Sequence, residues 1–176
     1  MLAADPAASI TAIAAEAGVD RRTVYRRFAS REELLAAIYE ARLTAIERAT
    51  EDARLREAPV AVALHRYVEG IIGANRTWPV GLSRMLAEEP VRERRERSVR
   101  ELSDFLRRAT DEGLIRSGLP DGWVSTVLPM LTDIASRQLT DLTPAQAADT
   151  VVDTLLNGLG AGAAGSAPRT APGTAP

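Results

Sequence analysis

The chain has 176 residues, a formal net charge of −2, 45% hydrophobic residues and no cysteine. That length suits one or two small domains and can bury a real core. The missing cysteine excludes disulfides, thiolate metal sites and cysteine nucleophiles together, and it fits a reducing cytoplasm.

Alanine and leucine are abundant, aromatics make up 4%, and no stretch alternates with β-branched residues, so the expected fold is all-α. No apolar run approaches the ~20 residues of a membrane span. The N-terminus lacks a basic region followed by a long apolar run, so no secretory signal is expected. Lysine is absent and arginine supplies every strong base. We read this as coding bias, although it also favours bidentate contacts to phosphate and guanine.

Met1-Leu2-Ala3-Ala4 precedes Asp5-Pro6, which reads as a turn. Ser9 is a good N-cap, and Ile10, Ile13, Ala14 and Ala17 form an apolar stripe at helical spacing. Gly18 suits a left-handed turn, and Asp20 suits the cap of a second, two-turn helix. Val24 and Phe28 share one face of that helix, and Val19 can staple onto it. Its other faces carry Arg21, Arg22, Thr23, Tyr25, Arg26 and Arg27. Ser30 and Glu33 form a capping box for a long helix over residues 31–56, with Leu34, Leu35, Ile38, Leu43 and Ile46 as apolar positions.

A helix over residues 59–75 follows, with Val60, Leu64, Tyr67, Val68, Ile71 and Ile72 on its apolar side. Trp78-Pro79 breaks it, and Val80, Leu82, Met85 and Leu86 make a short helix ending by Glu89-Pro90. A charged helix over residues 91–112 has Val91, Val99, Leu102, Phe105, Leu106 and Ala109 as its stripe. Its arginines are interspersed with acids and read as a solvated face. Residues 112–120 are a turn-rich connector. Asp121 or Gly122 opens a helix that is apolar on more than one side, with Pro129 expected to kink it or open a gap. Thr143-Pro144-Ala145-Gln146 caps the last helix, whose stripe is Ala147, Ala148, Val151, Val152, Leu155 and Leu156 and which Gly158 closes. Residues 160–176 hold almost only Gly, Ala, Ser, Pro and Thr and are expected to be disordered.

Two short helices meeting at a glycine form a helix-turn-helix, whose second helix enters the major groove of DNA. Residues 20–31 hold five arginines and one acid, a local +4, which leaves −6 for the rest of the −2 chain. A basic island on an acidic protein is the footprint of a nucleic-acid reader. The competing reading is a solvated arginine face on a helical hairpin.

Residues 9–35 resemble the DNA-binding signature of the tetracycline-repressor (TetR) family. The matching pieces are Ile13-Ala14, Ala17-Gly18-Val19, Thr23-Val24-Tyr25, Phe28 and Ser30-Arg31-Glu32-Glu33-Leu34. The resemblance implies a helix of some fifteen residues before Ser9, of which the chain has only a stub. Either the first helix is reduced, or the true start lies upstream of Met1. A three-helix domain without that wall is expected to bind DNA weakly. The resemblance also implies a helical-bundle domain that binds an inducer. The division expected is a DNA-binding domain over 1–48, a ligand-binding and dimerisation domain over 49–159, and the tail over 160–176.

For the interface, Arg22, Thr23 and Arg26 are expected at base edges, since arginine reads guanine O6 and N7. Ser9, Tyr25, Arg27 and Arg31 suit phosphates, and Tyr25 and Ser9 match family positions of that kind. Arg21 joins them on the exposed face. Tyr67, Ile71, Trp78, Met85, Leu86, Phe105, Trp123, Val127 and Met130 are candidates for an apolar cavity, their alternative being ordinary core. Val124, Leu128, Leu131, Val151, Val152, Leu155 and Leu156 are candidates for a four-helix dimer interface.

His65 is the only histidine, and no phosphate loop, metal-ligand spacing or nucleophile constellation is present. No enzyme activity, metal or cofactor is therefore expected. The expected function is a cytoplasmic, dimeric repressor that binds a palindromic operator in double-stranded DNA and is released by a small apolar or amphipathic effector. The alternative is a dimeric ligand-binding or interaction protein that has lost DNA binding.

Overall fold

The computed structural model describes residues 9–79 and 89–159. The expected N-terminal stub and Asp5-Pro6 turn, the short helix with Val80, Leu82, Met85 and Leu86, and the tail from residue 160 lie outside the described residues. The described elements are seven α-helices: α1 Ile10–Glu16, α2 Arg21–Arg27, α3 Arg31–Ala53, α4 Val60–Thr77, α5 Glu89–Asp111, α6 Trp123–Gln138 and α7 Pro144–Leu159. The fold is all-α, as the composition predicts.

Local capping chemistry fixes most helix starts. The Ser9 hydroxyl accepts from the Ala12 N–H at 3.2 Å, and the Asp20 carboxylate accepts from the Arg22 N–H at 2.7 Å. The Ser30 hydroxyl accepts from Glu33 N–H at 3.1 Å, while the Glu33 carboxylate reaches back to the Ala29 N–H at 2.6 Å. Thr143 and Gln146 cap α7 reciprocally at 3.2 and 3.0 Å. Each pair satisfies donors that the first helical turn would otherwise leave without partners.

Three ends differ from the sequence pattern. α3 stops at Ala53, short of residue 56, because Arg54 adopts a left-handed conformation (φ 50°) and Leu55 turns into the core, 3% exposed. The Arg108 guanidinium ties off this bend by donating to the Arg56 and Ala58 carbonyls at 2.8 and 2.7 Å. α4 runs on to Thr77. α7 passes through Gly158, which stays helical instead of closing the helix.

Two cores share α3. Ile10, Ala14, Val24 and Leu34 form a small one with Ile13, Phe28 and Ile38 packed against it, closing α1 and α2 onto the start of α3. Val19 contributes little to it, remaining 44% exposed. The large core is centred on α4, whose Ala63, Leu64, Val68 and Ile72 are fully buried among Phe105, Leu128, Ala147 and Leu155. The division expected at residue 48 falls within α3. Close to it, Ala49 lies so near α4 that a Cβ added to Gly70 would sit 2.7 Å from the Ala49 Cβ. Only glycine permits that approach. Arg76 locks the far end of α4 by donating to the Leu139 and Leu142 carbonyls, both at 2.7 Å, beyond the end of α6.

Candidate nucleic-acid interface and ligand cavity

The α1–α2 pair turns at Gly18, whose φ of 65° is the left-handed conformation that costs glycine little. α2 has one buried residue, Val24, which anchors it. Around that anchor Arg21, Arg22, Thr23, Tyr25, Arg26 and Arg27 are all exposed. The Arg21 guanidinium stacks over the Tyr25 ring, 5.1 Å from its centroid. That contact orders both side chains before any ligand arrives. Ser9 is exposed at the start of α1, and its hydroxyl keeps its proton free to donate while it caps the helix. Arg31, half-buried at the start of α3, flanks the same end of the domain. All eight residues expected at this interface thus belong to α1, α2 and the first turn of α3 or their caps.

A cavity of about 270 Å³ lies between α3, α4, α5 and α6. Leu43 and Ile46 come from α3, Tyr67 and Ile71 from α4, Val99 and Leu102 from α5, and Pro129 from α6. Arg42, Asn75, Arg95, Ser98, Thr132 and Asp133 add polar groups to the wall. Pro129 sits within α6, where proline interrupts the backbone ladder and crowds the preceding turn, so the gap expected beside it coincides with the cavity. Arg42 is fastened by its donation to the Trp78 carbonyl at 3.1 Å and the Asn75 side chain at 3.0 Å. Burial lowers its pKa first, with Arg95 acting in the same direction and Asp133 opposing it. Burial pushes the Tyr67 hydroxyl up to about 12, against the pull of Arg95. Tyr67 therefore stays protonated, a donor at neutral pH.

Of the described residues expected to line a cavity, Tyr67 and Ile71 line this one, while Trp123 and Trp78 border separate surface hollows. Phe105 is 2% exposed in the main core, because its face of α5 packs against α4. Trp78 is half-buried on the outside of α3, beside Ala41 and Ala45. Trp123 and Met130 are 48% and 59% exposed on the outer face of α6, with Val127 half-buried between them. Met85 and Leu86 lie outside the described residues. The polar part of the wall carried no signal in the sequence beyond its helical phase.

The dimer candidates divide as well. Leu128, Val151 and Leu155 are at most 4% exposed inside the subunit's own core and have nothing to offer a partner. Val124, Leu131, Val152 and Leu156 are half-buried over that core. The outward apolar stripe on α6 is instead Trp123, Val127, Met130 and Ile134, spaced by three or four residues.

The charged helix α5 is more than a solvated surface. Arg94 donates bidentately to Glu47, at 2.8 Å from Nε and 2.6 Å from Nη2, and to Glu40 through Nη1 at 2.5 Å. This clamps α5 to α3 beside the cavity, since Arg94 and Glu47 adjoin Arg95 and Ile46 of its wall. It holds the Glu47 carboxyl below its ordinary value and raises the Arg94 guanidinium. His65 bridges α4 and α7 through Asp149 at 2.8 Å. Among the described residues, no group of His, Asp and Glu side chains is arranged to hold a metal ion, and no helix is long and apolar enough to cross a membrane.

The family model for bacterial regulatory proteins of the tetR family matches residues 6–38. No curated protein is significantly similar to the chain in sequence. Solved structures are similar over almost its whole length. The TetR-like transcriptional regulator LfrR from Mycobacterium smegmatis, in complex with proflavine, is 28% identical, with a TM-score of 0.61 over 90% of this chain and 89% of that one. Another structure of LfrR is 26% identical, with a TM-score of 0.66 over 90% and 89%. PfmR from Thermus thermophilus, a TetR family transcriptional regulator, shares the fold at 20% identity, with a TM-score of 0.64 over 86% and 89%. Residues 6–38 thus carry the DNA-binding signature of the tetR family, and the chain as a whole is similar in fold to these TetR-like regulators.

Proposed function

We propose that the chain is a cytoplasmic repressor that binds a palindromic operator as a homodimer and releases it when a small molecule fills the α3–α6 cavity. The observation that carries this reading is α2. One buried valine holds it, and four arginines, a threonine and a tyrosine stand exposed around it. Arg22, Thr23 and Arg26 read base edges, while Ser9, Tyr25, Arg27 and Arg31 hold phosphates and Arg21 braces Tyr25.

Dimerisation uses the outward stripe of α6, extended by the half-buried Val152 and Leu156 of α7. A two-fold dimer places its two recognition helices about one DNA turn, ~34 Å, or a multiple apart, which makes the operator palindromic. Support for the ligand comes from LfrR, which shares the fold and is solved with proflavine bound. Ligand and DNA compete through a shift between two conformations. That shift is limited by the ligand's differential affinity for them.

The test is selection of duplex DNA from a random pool by the purified chain, followed by affinity measurement at several salt concentrations. A recovered palindrome, with an affinity that falls steeply and log-linearly with salt, is the expected result. Recovery of no enriched sequence would overturn the DNA-binding reading.

A further inference from the structure

Resting on the cavity between α3, α4, α5 and α6 as the effector site, we propose that its ligand is a compact apolar molecule carrying one anionic group, such as a carboxylate. The argument begins with Arg95. Other arginines of α5 have acids at helical spacing: Arg92 and Arg100 meet Glu96, Arg107 meets Asp104, and Arg108 meets Glu112. At three and four residues from Arg95 stand Val91, Arg92, Ser98 and Val99, none of them acidic. Among the described residues Arg95 forms no ion pair and no hydrogen bond, yet it lines the cavity and acts on both Arg42 and Tyr67.

The rest of the wall agrees in sign. Arg42 brings a second guanidinium, already oriented by Trp78 and Asn75. The one carboxylate, Asp133, is engaged by Arg137 one turn along α6. Tyr67 presents a hydroxyl that stays protonated and has no hydrogen-bond partner among the described residues. Arg95 is exposed on the open side of the cavity and Tyr67 is half-buried in its wall, so an anion placed between them gains a charge-assisted bond and a neutral one. A cation in the same place meets two guanidiniums and would lose its hydration without replacement. Leu43, Ile46, Ile71 and Leu102 supply the apolar remainder.

Three probes of one shape separate charge from hydrophobic fit: 1-naphthoate, 1-naphthalenemethanol and 1-naphthylmethylammonium. Their binding to the full chain is measured by calorimetry, on the wild type, on Arg95→Gln and on Ile71→Trp, which fills the cavity. The expected order is naphthoate about ten-fold tighter than the alcohol, and the ammonium weakest. Arg95→Gln should bring naphthoate to within about three-fold of the alcohol, and Ile71→Trp should remove binding of all three. Far-UV circular dichroism confirms that each variant is folded, and Ile71→Phe serves as the milder cavity-filling variant should Ile71→Trp fail to fold. If the ammonium or the alcohol binds as tightly as naphthoate, and Ile71→Trp still abolishes it, the anionic class is overturned while the cavity stands. Binding that survives in Ile71→Trp, or no binding by any probe, overturns the cavity reading together with the proposal.

Discussion

Gly70 and Ala49 show how much one missing methyl can matter. Adding a Cβ at Gly70 brings it 2.7 Å from the Ala49 Cβ and 3.2 Å from the Ala49 Cα, so α3 and α4 must move apart to admit it. Gly70→Ala is expected to cost about 1–3 kcal/mol in urea denaturation, despite alanine being the better helix former. At the proposed interface the division of labour is equally specific to the residue. Tyr25→Ala should weaken binding of all DNA sequences by a similar factor, since phosphate contacts carry no sequence information and the Arg21 stack is lost with the ring. Arg22→Ala should instead relax preference at one base pair, by about 1–3 kcal/mol. Binding-site selection with both variants distinguishes the two, and identical sequence profiles would contradict the assignment.

Among the elements, the α3–α5 clamp lends itself to measurement. Glu47 is about one quarter exposed and takes two hydrogen bonds from Arg94. Its pKa is held below the ordinary 4.5, so the bonded carboxylate stabilises the fold above that value. That contribution is lost as pH falls through the folded-state pKa. Arg94→Ala should destabilise the chain at pH 7 by about 1–3 kcal/mol. The stability gap between wild type and Glu47→Gln, followed by denaturation from pH 7 to pH 3, should narrow at the acid end. A gap independent of pH would mean that the bonds contribute through geometry alone.

The elements also show what a sequence can disclose. Ser9, Asp20, Ser30 and Thr143 declare themselves because capping is chemistry between residues two or three apart, complete within one turn. The inward and outward faces of α6 do not. Leu128 and Met130 are both large and apolar, on a helix apolar on two sides, and periodicity separates the faces without saying which one meets the core. The cavity is harder still. Arg42, Tyr67, Arg95 and Asp133 come from four helices, and what joins them is packing that no local pattern records.

At the scale of the whole molecule, the exposed stripe on α6 is the feature on which the proposed dimer rests. Met130 is 59% exposed and Ile134 is 49% exposed, on a helix whose opposite side is sealed. Met130→Asp is expected to leave the helical content unchanged and to convert a dimer to a monomer in analytical ultracentrifugation. Leu128→Ala, on the sealed side, should instead cost about 2–5 kcal/mol of stability. A Met130→Asp protein that still sediments as a dimer would move the interface elsewhere.

The close approach at Gly70 has a further mechanical consequence. The 23 residues of α3 include no glycine or proline, so the helix behaves as a stiff rod. From the contact at Ala49 to Arg31 that rod is about 27 Å long at 1.5 Å per residue. With Ala49 as a fulcrum, a tilt of only about 5° swings the Arg31 end by ~2 Å, and α2 travels with it. On the proposed reading, an effector wedged beside Arg42, Leu43 and Ile46 would push on the same arm of the lever. In the proposed two-fold dimer the displacement would be doubled across the pair, which would shift the spacing of the two recognition helices against the groove.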